Sequence, residues 1–221
     1  MVFTSLMVLA YCGGLIAMIP ASLMLPKSDR WQIGGTIWNG EAVPDGTTRL
    51  SWRWSPIASL SRGGFAANWH MTGGATDLVG IATLGLGRLR LDNVSGVADG
   101  AMLDLAAPAL PVTCRFLAQV SIDTLVIGGS DQRASGSLRT SPVHCSAKAV
   151  AAASLDLPAL HGMISQTHGL SSGAFFTLPA RQHLVEARLT SAGAFSLWPT
   201  AALTARLPAL RGTRLDTTVR W

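Results

Sequence analysis

The chain has 221 residues, a formal net charge of +5 and only 13% charged residues, against about 25% in ordinary soluble domains. The length allows one or two domains, and a hydrophobic fraction of 48% excludes a disordered chain. The positive charge comes from scattered arginines, with no run of basic residues, which gives no support to a nucleic-acid interface or a polybasic lipid site.

Residues 2–25 contain no Asp, Glu, Lys or Arg. About 20 apolar residues span a bilayer core as a helix, so a transmembrane helix is predicted over residues 3–25. Lys27, Asp29 and Arg30 close it. A cleaved signal peptide needs a basic start, a shorter apolar core and a small-residue cleavage site. None is present, and Tyr11 before Cys12 does not suit a lipoprotein. The predicted division is an anchor at residues 1–26 and an aqueous domain at 27–221. Positive-inside counting alone places that domain in the cytoplasm, because Lys27 and Arg30 follow the helix and nothing basic precedes it.

Beyond the anchor, a Trp38-containing segment flanked by Gly34-Gly35 and Gly40 reads as a short strand. Asp45-Gly46 then signals a hairpin. Leu50, Trp52 and Trp54 alternate with Ser51, Arg53 and Ser55, the period of a half-buried strand. Ser55-Pro56 opens a helical turn over Ile57–Leu60. Phe65, Ala67, Trp69 and Met71 alternate with polar partners up to the Gly73-Gly74 turn. Residues 84–91, 120–127, 135–143, 183–190 and 213–221 are further predicted strands, with breaks such as Gly128-Gly129. Short helices are predicted near 99–107 and 198–207. The strand–Pro–Leu–Gly order of residues 48–74 is faintly echoed at 153–169, too few copies for a solenoid. The fold class is therefore mainly β: one antiparallel domain, a meander or rolled sheet or groove, with small helical inserts.

Cys114 and Cys145 lie outside the anchor. Without a Cys-x-x-Cys spacing they fit one disulfide in an oxidising compartment. Two separate buried thiols are the alternative, and a zinc site with His144 lacks the remaining ligands.

Motifs for chemistry are weak. Gly169-Leu170-Ser171-Ser172-Gly173 satisfies Gly-x-Ser-x-Gly, but a hydrolase elbow needs a strand, a tight turn and a helix, followed by an acid and then a His. His183 follows Ser171 with no Asp or Glu between, and Glu186 comes after it. A turn is the expected reading. The five histidines make no metal spacing, and Gly85-Leu86-Gly87 lacks the rest of a dinucleotide loop. No catalytic residue, metal or cofactor is expected.

The N-terminal apolar segment, then Gly35-Thr36-Ile37-Trp38-Asn39-Gly40, then Leu50-Ser51-Trp52 with Pro56 and Leu60, resembles the protein N component of the bacterial type II secretion system. The likeness covers the first third of the chain; Leu89–Gly96 is a further match. It implies a single-pass inner-membrane protein displaying a β domain in the periplasm, against the charge count. It implies no enzymatic activity, and other secretion subunits as partners. Gly35, Thr36, Trp38, Asn39, Gly40, Trp52 and Pro56 would be structural or docking residues. Large lipid-handling envelope proteins of the AsmA type carry similar Gly-x-x-Trp strands, so a periplasmic lipid groove is the alternative, with lipid as ligand. A third class, an outer-membrane barrel, is suggested by the alternating strand ending in Trp221, but would need about eight or more strands with an outward apolar band.

Overall fold

The computed structural model describes residues 18–23, 32–44, 46–106, 112–129, 131–147, 154–167, 170–190, 194–206 and 215–218. Among the described residues, sixteen strands run in chain order. They are β1 (Gln32–Gly35), β2 (Asn39–Val43), β3 (Arg49–Trp54), β4 (Phe65–Gly73), β5 (Thr76–Gly85), β6 (Arg88–Asp99), β7 (Val112–Arg115) and β8 (Leu117–Ile127). There follow β9 (Arg133–Thr140), β10 (Val143–Ala147), β11 (Ser154–Leu157), β12 (Leu160–Thr167), β13 (Leu170–Thr177), β14 (His183–Leu189), β15 (Ala194–Pro199) and β16 (Leu215–Thr218). Three short helices intervene: α1 (Pro56–Arg62), α2 (Ala101–Ala106) and α3 (Ala201–Arg206).

Thirteen strands form one sheet in the order β1-β2-β3-β4-β5-β6-β8-β9-β12-β13-β14-β15-β16, and β11-β10-β7 form a second, small one. Every pairing is antiparallel. Neighbours in the large sheet are neighbours in sequence, apart from the strands diverted into the small sheet.

The alternation in the sequence sorts side chains onto two faces. Leu50, Trp52 and Trp54 share a face with Met71, Trp69 and Ala67 opposite, and with Leu78, Gly80 and Ala82 one strand further. Leu91, Leu125 and Ala134 continue that apolar face. The other face carries Asn39, Arg53, Asn68 and His70. Register shifts at Val79/Ile81 and Ile122/Thr124 mark bulges. In β6, Asp92 and Val94 fall on opposite faces although they are two residues apart, because Asn93 (φ 52°) takes the left-handed conformation that Asn tolerates better than most residues. The switch keeps Val94 and Ala98 on the apolar face and turns Asp92 to the polar one.

The helices are fixed by capping. Pro56 occupies the first turn of α1, Gly63 (φ 63°) closes it in the left-handed conformation, and its N–H donates to the Ser59 carbonyl. Ser59 Oγ accepts from Ala66 N–H at 2.9 Å and from Trp54 Nε1 at 2.9 Å, pinning α1 to β4 and β3. Asp99 accepts from Ala101 N–H and Ala75 N–H, both at 3.1 Å, joining the start of α2 to the β4–β5 turn. Met102 of α2 packs against a core of Leu78, Ala98 and Ala118.

β7 lies in the connection from β6 to β8, and β10–β11 in the connection from β9 to β12. Cys145 stands directly opposite Cys114 in their ladder, and the two form a disulfide with Cα atoms 4.0 Å apart. The bond therefore ties two separate excursions from the same end of the large sheet.

Several predicted elements change place. Trp38 is not in a strand; it lies in the loop 36–38 between β1 and β2. Residues 84–91 are not one run but a hairpin, because Leu86-Gly87 makes the β5–β6 turn, with Gly87 at φ 65°. Trp198-Pro199 remain in β15, paired with Glu186 and Val185, so the predicted helix begins only at Ala201. The echo of residues 48–74 at 153–169 is not a structural repeat: β3 and β4 flank a helix, whereas β11 and β12 belong to different sheets. Residues 213–214 and 219–221 of the predicted last strand lie outside the described residues.

No helix among the described residues is long and apolar enough to cross a membrane. Most of the helix predicted over 3–25 lies outside them. Residues 18–23 are described, and are not α-helical. Pro20 forms a bridge with Thr36, and Ala21–Leu23 make one 3-10 turn. Pro20 lacks an N–H and disfavours a helical residue before it, and the Ile19 carbonyl is taken by Ile37 N–H at 3.1 Å.

Candidate functional site

The glycine- and tryptophan-rich motif folds into a closed unit. Gly35 (φ 81°) and Gly40 face each other at the end of the β1–β2 ladder. Between them Thr36 N–H donates to the Asn39 carbonyl at 2.8 Å, and Asn39 N–H donates to Thr36 Oγ1 at 3.2 Å. Thr36 and Asn39 thus hold the loop that presents Ile37 and Trp38. Trp52 Nε1 donates to the Ile37 carbonyl at 3.1 Å, and Trp54 N–H to the Trp38 carbonyl at 2.6 Å. The Trp38 ring meets Trp54 edge-on at 4.7 Å between centroids and Phe65 at 5.9 Å. Gly40 leaves room for Trp52: a Cβ there would come within 2.8 Å of ring atoms. Gly35, Thr36, Trp38, Asn39, Gly40 and Trp52 are therefore in one assembly, and Pro56 enters it by starting the helix whose Ser59 holds Trp54.

Beside this assembly the polar face of β2–β6 is hollowed into an open concavity of about 1010 Å³. Its floor includes the cross-strand row Asn39, Arg53, Asn68 and Ile81. A second hollow of about 540 Å³ lies further along the same face, floored by Ser95, Ser121 and Ser137 and bordered by Gln119, Arg139 and His161. Short serines between longer neighbours create it. On the apolar face a smaller cavity of about 160 Å³ lies among Leu125, Ile127, Ala134, Ile164 and Leu189.

Among the described residues, the one carboxylate held away from its usual range is at the margin of the polar face. Asp92 is 3% exposed. Arg90 Nε donates to both its oxygens at 2.8 Å, Thr124 Oγ1 donates to Oδ1 at 3.1 Å, and Arg62 Nη2 lies 3.5 Å away. Burial pushes the Asp92 carboxyl up, but the hydrogen bond and charge of Arg90, with Thr124 and Arg62, outweigh it and hold the group below the usual carboxylate range. The same hydrogen bond raises Arg90. The cluster joins α1, β6 and β8. Sequence reading missed it. Arg90 and Asp92 are two apart on one strand, which puts them on one face, but Arg62 and Thr124 come from distant segments.

Ser171 sits within β13, not in the turn expected for it and not at a strand–helix elbow. It is 1% exposed, and its Oγ accepts from Ala134 N–H at 2.8 Å. Its role there is to satisfy a β9 amide beyond the point where the β9–β12 ladder ends at Gly136 and Ile164. Two exposed histidine–carboxylate pairs, His70–Asp77 at 2.7 Å and His144–Asp156 at 2.6 Å, lie far from it on other strands. Among the described residues no three His, Cys, Asp or Glu side chains group as metal ligands.

The chain matches no family model, no curated protein and no solved structure.

Proposed function

We propose that the protein is a non-enzymatic component of the type II secretion system, anchored in the bacterial inner membrane by its N-terminal segment and acting through protein contacts of a periplasmic β domain. The observation that carries this reading is the interlock of Thr36, Trp38, Asn39, Gly40 and Trp52 at one edge of the sheet. The residues of the resemblance are spent on shaping a rigid edge hairpin, with β1 outermost among the described strands of the large sheet. An edge of this kind suits strand-to-strand docking. The disulfide agrees with an oxidising compartment. Deleting the gene should leave cargo proteins folded in the periplasm and stop their export. A photo-crosslinker at exposed Gln32 should capture another secretion subunit. Normal export in the deletion strain would overturn the reading.

A second reading, a lipid-handling groove, is favoured by the length of the one-sided apolar face. Half-buried Met71, Val120, Ile122, Leu125 and Leu138 continue it across the middle of the sheet. Native mass spectrometry of protein purified from membranes should then find phospholipid that Val120→Trp displaces. Lipid-free protein with normal fold would dismiss this reading and leave the first intact.

A further inference from the structure

One end of the large sheet carries the β1–β2 loop, α1 and the β5–β6 turn. Three features meet there. The first is unburied apolar surface. Ile57 and Leu60, three apart and so on one side of α1, are 82% and 85% exposed. No residue of α1 is buried, although a helix lying on a soluble domain normally turns its apolar stripe inward. Leu84 and Leu86 at the β5–β6 turn are also exposed. Gly64, just past the helix cap, lies against the Leu84 carbonyl, and Phe65 pairs with Leu84, so helix and turn are neighbours.

The second feature is charge. Arg53 and Arg88 stand at this end, at the close of β3 and the start of β6, and their side chains make no hydrogen bond or ion pair among the described residues. The third is the path of the chain. Ile37 N–H binds the Ile19 carbonyl and Pro20 bridges to Thr36, so the uncharged run of residues 2–25 meets the β domain at this same end.

We propose that this end of the sheet seats in the interfacial layer of an anionic phospholipid bilayer, with Ile57, Leu60, Leu84 and Leu86 among the upper acyl chains and Arg53 and Arg88 on the phosphates. Apolar side chains ringed by cations are what an interfacial element needs. The inference rests on the membrane-anchored reading above, and adds that the sheet stands with its strands leading away from the bilayer. The polar concavity beside Trp38 then begins at the membrane surface.

The test uses the full chain with Cys12→Ser and the disulfide kept oxidised. An environment-sensitive fluorophore is attached at Leu60→Cys, Leu86→Cys or, at the opposite end, Ala75→Cys. The carrier is vesicles of phosphatidylethanolamine and phosphatidylglycerol with brominated acyl chains. Labels at 60 and 86 should lose about half or more of their emission, as expected for a group within the headgroup–acyl boundary, while the label at 75 is unaffected. Leu60→Glu with Leu86→Glu replaces only exposed side chains, so the domain stays folded, and a label at Ile57→Cys in that background should no longer be quenched. Protein that floats with the vesicles but shows no quenching at 60 and 86 would overturn the seating and leave the anchor standing. Protein that does not float would overturn both. A crosslinker at Leu60 that captures a protein instead of lipid in native membranes would also overturn it.

Discussion

Trp52 and Trp69 stand directly opposite one another on β3 and β4, and each faces a glycine on its other side: Gly40 on β2 and Gly80 on β5. A Cβ at Gly40 would come within 2.8 Å of Trp52 ring atoms, and one at Gly80 within 3.0 Å of Trp69 Cζ2. The two indoles therefore lie outward over backbone, which lets two large rings occupy one cross-strand pair. Gly40→Ala should cost about 1–3 kcal/mol through overpacking, with a smaller loss for Gly80→Ala, where the ring has less far to move. Urea unfolding would measure both. Combining Gly40→Ala with Trp52→Leu should recover part of the loss, and additive losses in the double variant would contradict the contact.

Trp38→Ala should destabilise the domain by about 2 kcal/mol, less than the 3–5 of a fully buried aromatic, because its ring is half-buried against Trp54 and Phe65. Under the secretion reading, export should fall in step with folded protein in the membrane. A variant with full folded levels and no export would instead make Trp38 a contact residue.

Asp92→Asn leaves Arg62 and Arg90 close together without their carboxylate. Removing the buried partner of guanidiniums that stay partly exposed costs about 1–3 kcal/mol, to be read from thermal melts at neutral pH. The pH dependence has a definite sign. The folded Asp92 carboxyl is held below its ordinary value, so its stabilisation is present above the unfolded carboxylate range and is lost as pH falls through the folded value. The native protein should lose stability more steeply on acidification than Asp92→Asn. Parallel acid limbs for the two proteins would contradict this.

Cys114→Ser with Cys145→Ser opens a bond with a sequence separation of 31. Loop-entropy arguments give a loss of about 3–4 kcal/mol for a loop of this size. Hydrogen exchange should show the loss first in β7, β10 and β11, since the large sheet has its own ladders. Non-reducing peptide mapping of membrane-derived protein should recover the linked peptides.

The parts of the fold legible in the sequence were those carried by local signals. Strict alternation exposed β3 and β4; Pro56 marked α1; Gly73-Gly74 marked its turn. Trp38 misled because an aromatic between glycines has the composition of a strand, while its conformation is set by the Thr36–Asn39 bonds. The run 84–91 misled because Leu86 keeps an apolar pattern going through a turn, at a place where it packs against nothing. The Cys114–Cys145 pairing followed from counting, whereas the small sheet it closes depends on two connections meeting in space. The Asp92 cluster was invisible for the same reason, and because the Asn93 bulge reverses the alternation that assigns faces.

The order of strands in the large sheet follows the order of the chain, with only β7, β10 and β11 set aside. Such a sheet has no step in which an early strand must wait for a late one. As the polypeptide emerges from a ribosome or a translocation pore, each new strand of the large sheet finds its partner already made, and most additions close only a short loop, the β6–β8 and β9–β12 connections being the longer ones. The assembly grows like a zip, with open backbone at β1 and at its newest rung. The exception is the covalent clasp, whose halves are synthesised a hairpin apart. β8 and β9 lie between the two cysteines in the chain, so the bond encloses their hairpin.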